Sequence, residues 1–97
     1  MTDGQLRRRL RDLESRITHE RQSVSSKLRA DGFNKAQTDY FTTRAQTAPK
    51  QVLEEITANA QNPAVAGKVK RCVNLIKELN GKYWRFRSKA EKRGIEV

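Results

Sequence analysis

The residues best placed to do chemistry lie in the last third of the chain. The run "NGKYWRFRSKAEKRG" (Asn80 to Gly94) sets Tyr83, Trp84 and Phe86 among Lys and Arg side chains. Aromatic faces stack on bases, and cations hold phosphate oxygens. On a helical wheel the run separates into two faces. Tyr83 and Phe86 fall on an apolar seam and read as core. Trp84 falls one position off it, free for a partner or for a neighbouring helix.

The side opposite the seam carries Gly67, Asn74, Gly81 and Ser88, one every seven residues. Residues three and four positions away flank this stripe. They are Lys70, Arg71, Lys77, Glu78, Trp84, Arg85, Glu91 and Lys92. Small side chains let another surface approach the backbone, and cations at the edges suit phosphate. The same pattern also suits a solvated charged face, or the packing of another helix on the stripe. A second basic cluster, Arg7, Arg8, Arg9 and Arg11, stands near the N-terminus. Arg8 and Arg11 point farthest from the local apolar seam and are the ligand candidates. Arg7, Arg9 and Arg16 are placed for flanking ion pairs of a coiled coil.

Catalysis finds little support, and no catalytic residue, metal or cofactor is expected. The single histidine, His19, falls on an outer helix face with no ligand cluster of metal spacing around it. Cys72 sits on the apolar seam and reads as core. Glu54 and Glu55 are adjacent on a helix, so their side chains diverge. There is no phosphate-binding glycine loop and no nucleophile motif.

These residues need helices to position them, and only helix signals occur. Leu6, Leu10, Leu13 and Ile17 form a coiled-coil-like seam in a helix from Gln5 to Ala30, and Val24 and Leu28 continue it. Asp31-Gly32 closes that helix, and Phe33 folds back on Leu28 in a Schellman cap. Asn34 with Gln37 makes a capping box for a second helix to about Gln46, with Ala36, Tyr40, Phe41 and Ala45 inward. Pro49 opens a third helix, with Val52, Leu53, Ile56 and Ala60 on its apolar face. Asn62 caps a fourth, and Pro63 takes its first position. Val65, Val69, Cys72, Ile76, Leu79, Tyr83, Phe86 and Ala90 keep a heptad seam to about Arg93. The seam holds its phase across Asn80-Gly81, so the helix is expected to run through, over roughly 46 Å at ~1.5 Å per residue.

The fold class is therefore all-α: three or four helices, long first and last, packed through heptad-like seams. Residues 1–97 make one basic helical domain. Hydrophobic residues are 35% of the chain. That thin supply favours burial against a second copy, so a helical-bundle homodimer is expected.

Charge points to the partner. The net charge is +10 and lies at the two ends. Residues 63–97 hold ten Lys/Arg against three Asp/Glu, whereas residues 31–62 hold three against four. Such asymmetry argues for nucleic acid or an anionic surface. One cysteine allows no internal disulfide, which fits an intracellular, cytoplasmic setting. No apolar run approaches the ~20 residues of a membrane span. The N-terminal helix lacks the aromatic anchor of a membrane-surface helix.

The expected function is non-enzymatic binding of a duplex through its phosphates. Arg8, Arg11, Lys70, Arg71, Lys77, Trp84, Arg85 and Lys92 make the contacts, and Gly67, Asn74, Gly81 and Ser88 form the close-approach stripe. Double-stranded RNA is favoured over DNA, because a long basic face without a reading head suits recognition by shape. An RNA-sequestering protein of a virus or mobile element, acting in the host cytoplasm, is one version. A DNA-binding accessory protein is the alternative. A helix-turn-helix over "VLEEITANAQNPAVAGKVKRCV" is weaker, since the turn lacks glycine and the second helix is too long. From another class, the chain reads as a helical adaptor docking an acidic protein.

Overall fold

The computed structural model describes residues 1–96. Among them it forms four helices, α1 (Asp3–Ala30), α2 (Lys35–Arg44), α3 (Pro49–Asn59) and α4 (Val65–Lys92), and no strand.

Local chemistry explains the boundaries. Thr2 and Gln5 form a reciprocal capping box, so α1 starts two residues before the expected Gln5. Its end is a Schellman motif: the Gly32 N–H donates to the Arg29 carbonyl and the Phe33 N–H to the Leu28 carbonyl. Gly32 stands at φ 102°, the left-handed conformation that needs no Cβ. Phe33 then packs with Leu28 in one core cluster, as expected. The α2 capping box is also as expected: Gln37 N–H donates to Asn34 Oδ1 (2.8 Å) and Asn34 N–H to Gln37 Oε1 (2.9 Å). A second Schellman motif, missed in the sequence, ends α4. There the Gly94 N–H donates to the Glu91 carbonyl and the Ile95 N–H to the Ala90 carbonyl, which turns Ile95 into the core.

Two expectations about α2 and α4 are corrected. In α2, Phe41 and Ala45 are buried, but Ala36 and Tyr40 are exposed, and Thr38 and Thr42 point inward instead. Threonine can be buried there because its hydroxyl bonds back to the helix. Thr38 Oγ1 donates to the Lys35 carbonyl (2.8 Å) and Thr42 Oγ1 to the Thr38 carbonyl (2.9 Å). The helix also ends at Arg44, before Gln46. In α4, Asn62 and Pro63 do not start the helix. They form a turn, and Ala64 is the cap residue with no side-chain bond of its own. The Asp31 carboxylate holds this turn, accepting from the Gln61 and Asn62 N–H groups at 3.1 Å each. The end of α1 is thereby tied to the start of α4.

The long helices pair antiparallel. Leu6 and Leu10 meet Ala90 and Ile95 at one end, Leu13 and Ile17 meet Leu79 in the middle, and Val24 and Leu28 meet Val65 and Val69 at the other. The two apolar stripes therefore close on each other within one chain. α2 packs on α1 and α3 on α4, as a second layer over one end. The molecule measures 48 × 20 × 19 Å. Its radius of gyration, 15.3 Å, exceeds the ~12.5 Å of a compact chain this long. The excess is the two-helix stalk that projects beyond α2 and α3.

The seam of α4 departs from a strict heptad. Val73 is fully buried and Cys72 only half-buried. The N-terminal half of α4 packs against α3 as well as α1, which widens its apolar stripe to take in Val73. Tyr83 and Phe86 pack against the stalk core as expected but stay half-buried, since only two helices meet there. α4 continues through Gly81. Among the described residues no helix is long and apolar enough to cross a membrane.

Candidate functional site

The stripe Gly67, Asn74, Gly81 and Ser88 is exposed along α4. A Cβ built on Gly67 or Gly81 would meet nothing within 4 Å, so no helix of this chain packs on the stripe. Every cation assigned to the site is exposed: Arg8, Arg11, Lys70, Arg71, Lys77, Arg85 and Lys92.

These residues do not share one surface. The stalk end of α4 gathers Trp84, Arg85, Ser88 and Lys92 around an open concavity of about 700 Å³. Arg9, Lys82, Phe86 and Lys89 complete its wall. The wall thus holds five cations and no carboxylate, and none of the five is in an ion pair with a described residue. Lys70 and Gly67 instead border a mostly apolar groove of about 570 Å³ with Leu53, Thr57 and Ala66, between α3 and α4. Arg71, Lys77, Asn74 and Gly81 lie on the open length of α4 between the two.

Arg8 lines a separate concavity with Met1, Gln5, Arg9 and Asp12, and Arg9 borders both this and the groove. In a helix pair the sides opposite the shared seam point away from each other. Arg8 and Arg11 therefore face away from the line through Gly81 and Ser88. The expected flanking ion pairs of Arg7, Arg9 and Arg16 are absent among the described residues. Arg9 reaches across the seam instead, its guanidinium 5.4 Å from the Phe86 ring centre. Lys89 lies 5.4 Å from the same ring. Two cations thus approach the Phe86 ring at the groove wall.

Sequence reasoning missed Arg9, Lys82 and Lys89. Lys82 and Lys89 alternate with Arg85 and Lys92 at helical spacing, on the flank that meets α1. Lys82 to Lys92 spans about 15 Å of helix axis.

Trp84 has a fixed setting. It is 51% exposed, with its ring edge-to-face on Tyr83 at 5.6 Å. The Arg87 guanidinium lies 5.0 Å from its centre. Arg87 donates to the Tyr83 hydroxyl (3.1 Å) and to Glu91 (3.2 Å), and Tyr83 donates to Glu14 (3.0 Å). The Tyr83 hydroxyl, and then Glu91, hold the Arg87 guanidinium charged, its pKa above the ordinary value. So Glu14 and Glu91 are both engaged on the Arg87 flank of α4, whereas on the opposite flank no ion pair among the described residues engages Lys82, Arg85, Lys89 or Lys92.

The remaining reactive groups lie away from the groove. Cys72 Sγ is 3.9 Å from Ser23 Oγ. Burial, then the Glu20 carboxylate beside it, pushes the Cys72 thiol pKa up. His19 is exposed on α1. Among the described residues no three His, Cys, Asp or Glu side chains are grouped to hold a metal ion. Comparisons with protein-family models, with curated proteins and with solved structures gave no match.

Proposed function

We propose that the protein is a non-enzymatic nucleic-acid-binding module that grips duplex through phosphate contacts at the stalk groove. The observation that carries this reading is the groove wall: Arg9, Lys82, Arg85, Lys89 and Lys92 with no carboxylate among them. Five unneutralised cations on one wall attract a polyanion. The ~15 Å from Lys82 to Lys92 is the length of about four phosphates at the ~3.4 Å axial rise of a B-form DNA strand, and of slightly more on A-form RNA. Exposed Gly81 and Ser88 let the duplex come close to the helix. Double-stranded RNA remains favoured over DNA, because a long basic face suits recognition by shape and phosphate spacing. DNA is the alternative target in an accessory role.

In this reading the working unit is a homodimer that places two grooves on one duplex. Both apolar seams close within the chain, so such a dimer would pair through outer surfaces. The groove between α3 and α4, with Leu53, Ala58 and Ala66 in its wall, supports the rival reading of a helical adaptor for another protein.

A gel-shift panel of double- and single-stranded RNA and DNA separates these readings. Duplex should be bound at ~50 mM salt and much more weakly at ~200 mM, as phosphate neutralisation requires. If neither duplex binds at the lower salt, the nucleic-acid reading fails and the adaptor reading takes its place.

A further inference from the structure

A smaller concavity, about 380 Å³, lies on the other side of Trp84 from the basic groove, so Trp84 borders both. It lies where α2 ends against the stalk. Glu14, Thr18, Gln46, Asn80 and Tyr83 supply its other polar groups, with Ile17 as an apolar patch. Asn80 Nδ2 donates to the Gln46 carbonyl at 3.3 Å, which ties the end of α2 to α4 beside the notch.

We propose that this notch takes one unpaired base, extruded from a duplex whose phosphates lie in the basic groove. The proposal rests on the nucleic-acid reading above and adds the class of target: a duplex carrying a one-nucleotide bulge. Three observations support it. The volume is at the small end of ligand sites, which suits a single ring system. The wall combines aromatic and polar groups, as bases require. The Tyr83 and Trp84 rings are 82° apart, so a planar base stacks on one of them and not on both. Arg87 already lies over Trp84, so one ring face is occupied. This geometry offers one stacking place, not the row of them that a single-strand platform needs.

The polar groups also choose among bases. Glu14 Oε1 accepts from the Tyr83 hydroxyl, and a carboxylate can only accept, so its exposed second oxygen is open to a donor on a ligand. An exocyclic amino group supplies one. Adenine, guanine and cytosine carry it, and uracil and thymine do not. The notch therefore prefers an amino-bearing base.

The test uses the full chain and two matched duplexes, one perfect and one with a single bulged adenine, in RNA and in DNA. Trp84 is the only tryptophan, so its fluorescence reports directly. The bulged duplex should bind roughly tenfold tighter, the scale of one base–aromatic stack, and should alone quench the emission. Between two bulged pyrimidines, cytosine should bind more tightly than uracil, and Glu14→Ala, which removes the acceptor, should abolish that difference. Equal affinity and equal emission for bulged and perfect duplexes would overturn the notch proposal and leave the groove reading standing. A preference for cytosine over uracil that survives in Glu14→Ala would overturn the carboxylate's part. No binding of either duplex at ~50 mM salt would overturn groove and notch together.

Discussion

Cys72 and Val73 are neighbours on α4 with opposite settings, one half-buried and one with no exposed surface. Burial of a valine side chain is worth about 1.5–3 kcal/mol, so Val73→Ala should destabilise the chain by about 2 kcal/mol in urea unfolding. Cys72→Ala should cost well under 1 kcal/mol, because little of its packing is complete. The thiol makes a pH prediction. Its raised pKa leaves less thiolate at neutral pH, so alkylation of Cys72 should be slower than that of a free cysteine. The rate should climb to its plateau only above the pH where a free thiol does. The sequence could not separate residues 72 and 73, since both border the seam and the packing of α3 decides which is covered. Arg9 was misread for a related reason. Its type and position suit an ion pair in a coiled coil, and the distance to Phe86 exists only once α1 and α4 are in register. Trp84 was legible as the off-seam aromatic, but its contacts with Tyr83 and Arg87 were not.

At the scale of elements, α4 carries both the core and the groove, and its continuity through Gly81 sets the line of cations. Gly81 has open space around its Cα and helical backbone, so nothing opposes a methyl group there. Gly81→Ala should therefore stabilise the protein by about 0.8–1 kcal/mol, the helix-propensity difference between the two residues. A loss of stability would mean that the helix is interrupted at that point. Gly32→Ala should do the opposite. Its φ of 102° disfavours any Cβ, and the added atom would lie 2.8 Å from Gln61 Nε2. The Gln61 side chain can move aside, so the cost is mainly the left-handed backbone, about 1–2 kcal/mol. Thermal or urea unfolding of the two variants gives opposite shifts. Capping chemistry made the end of α1 and the start of α2 readable, because Asn34 followed three residues later by Gln37, and Gly32 followed by Phe33, each state a local geometry. The start of α4 was not readable, because the group that organises the Asn62-Pro63 turn is Asp31, thirty-one residues away along the chain.

For the whole molecule, the all-helical class and the long outer helices followed from hydrophobic period alone. The stalk did not, because where α2 and α3 stop depends on tertiary packing. Nor did the division of the basic face, since a wheel of one helix cannot show which neighbouring helix lends a cation or closes a flank. The pairing of α1 with α4 leaves one flank with Glu14, Glu91 and Arg87 engaged together, and the other with four cations of α4 and Arg9 of α1, none in an ion pair among the described residues. The central claim is that these cations neutralise duplex phosphates. The most direct test is the salt dependence of binding to random-sequence duplex DNA, comparing the natural chain with Arg85→Ala/Lys89→Ala/Lys92→Ala. All three side chains are exposed, so helical circular dichroism should be unchanged. Each lost contact removes ~0.9 from the magnitude of the slope of log K against log salt, so the triple variant should lose about 2.7 per chain. A slope that stays the same in the folded triple variant would contradict the account, and would place any nucleic-acid binding elsewhere on the molecule.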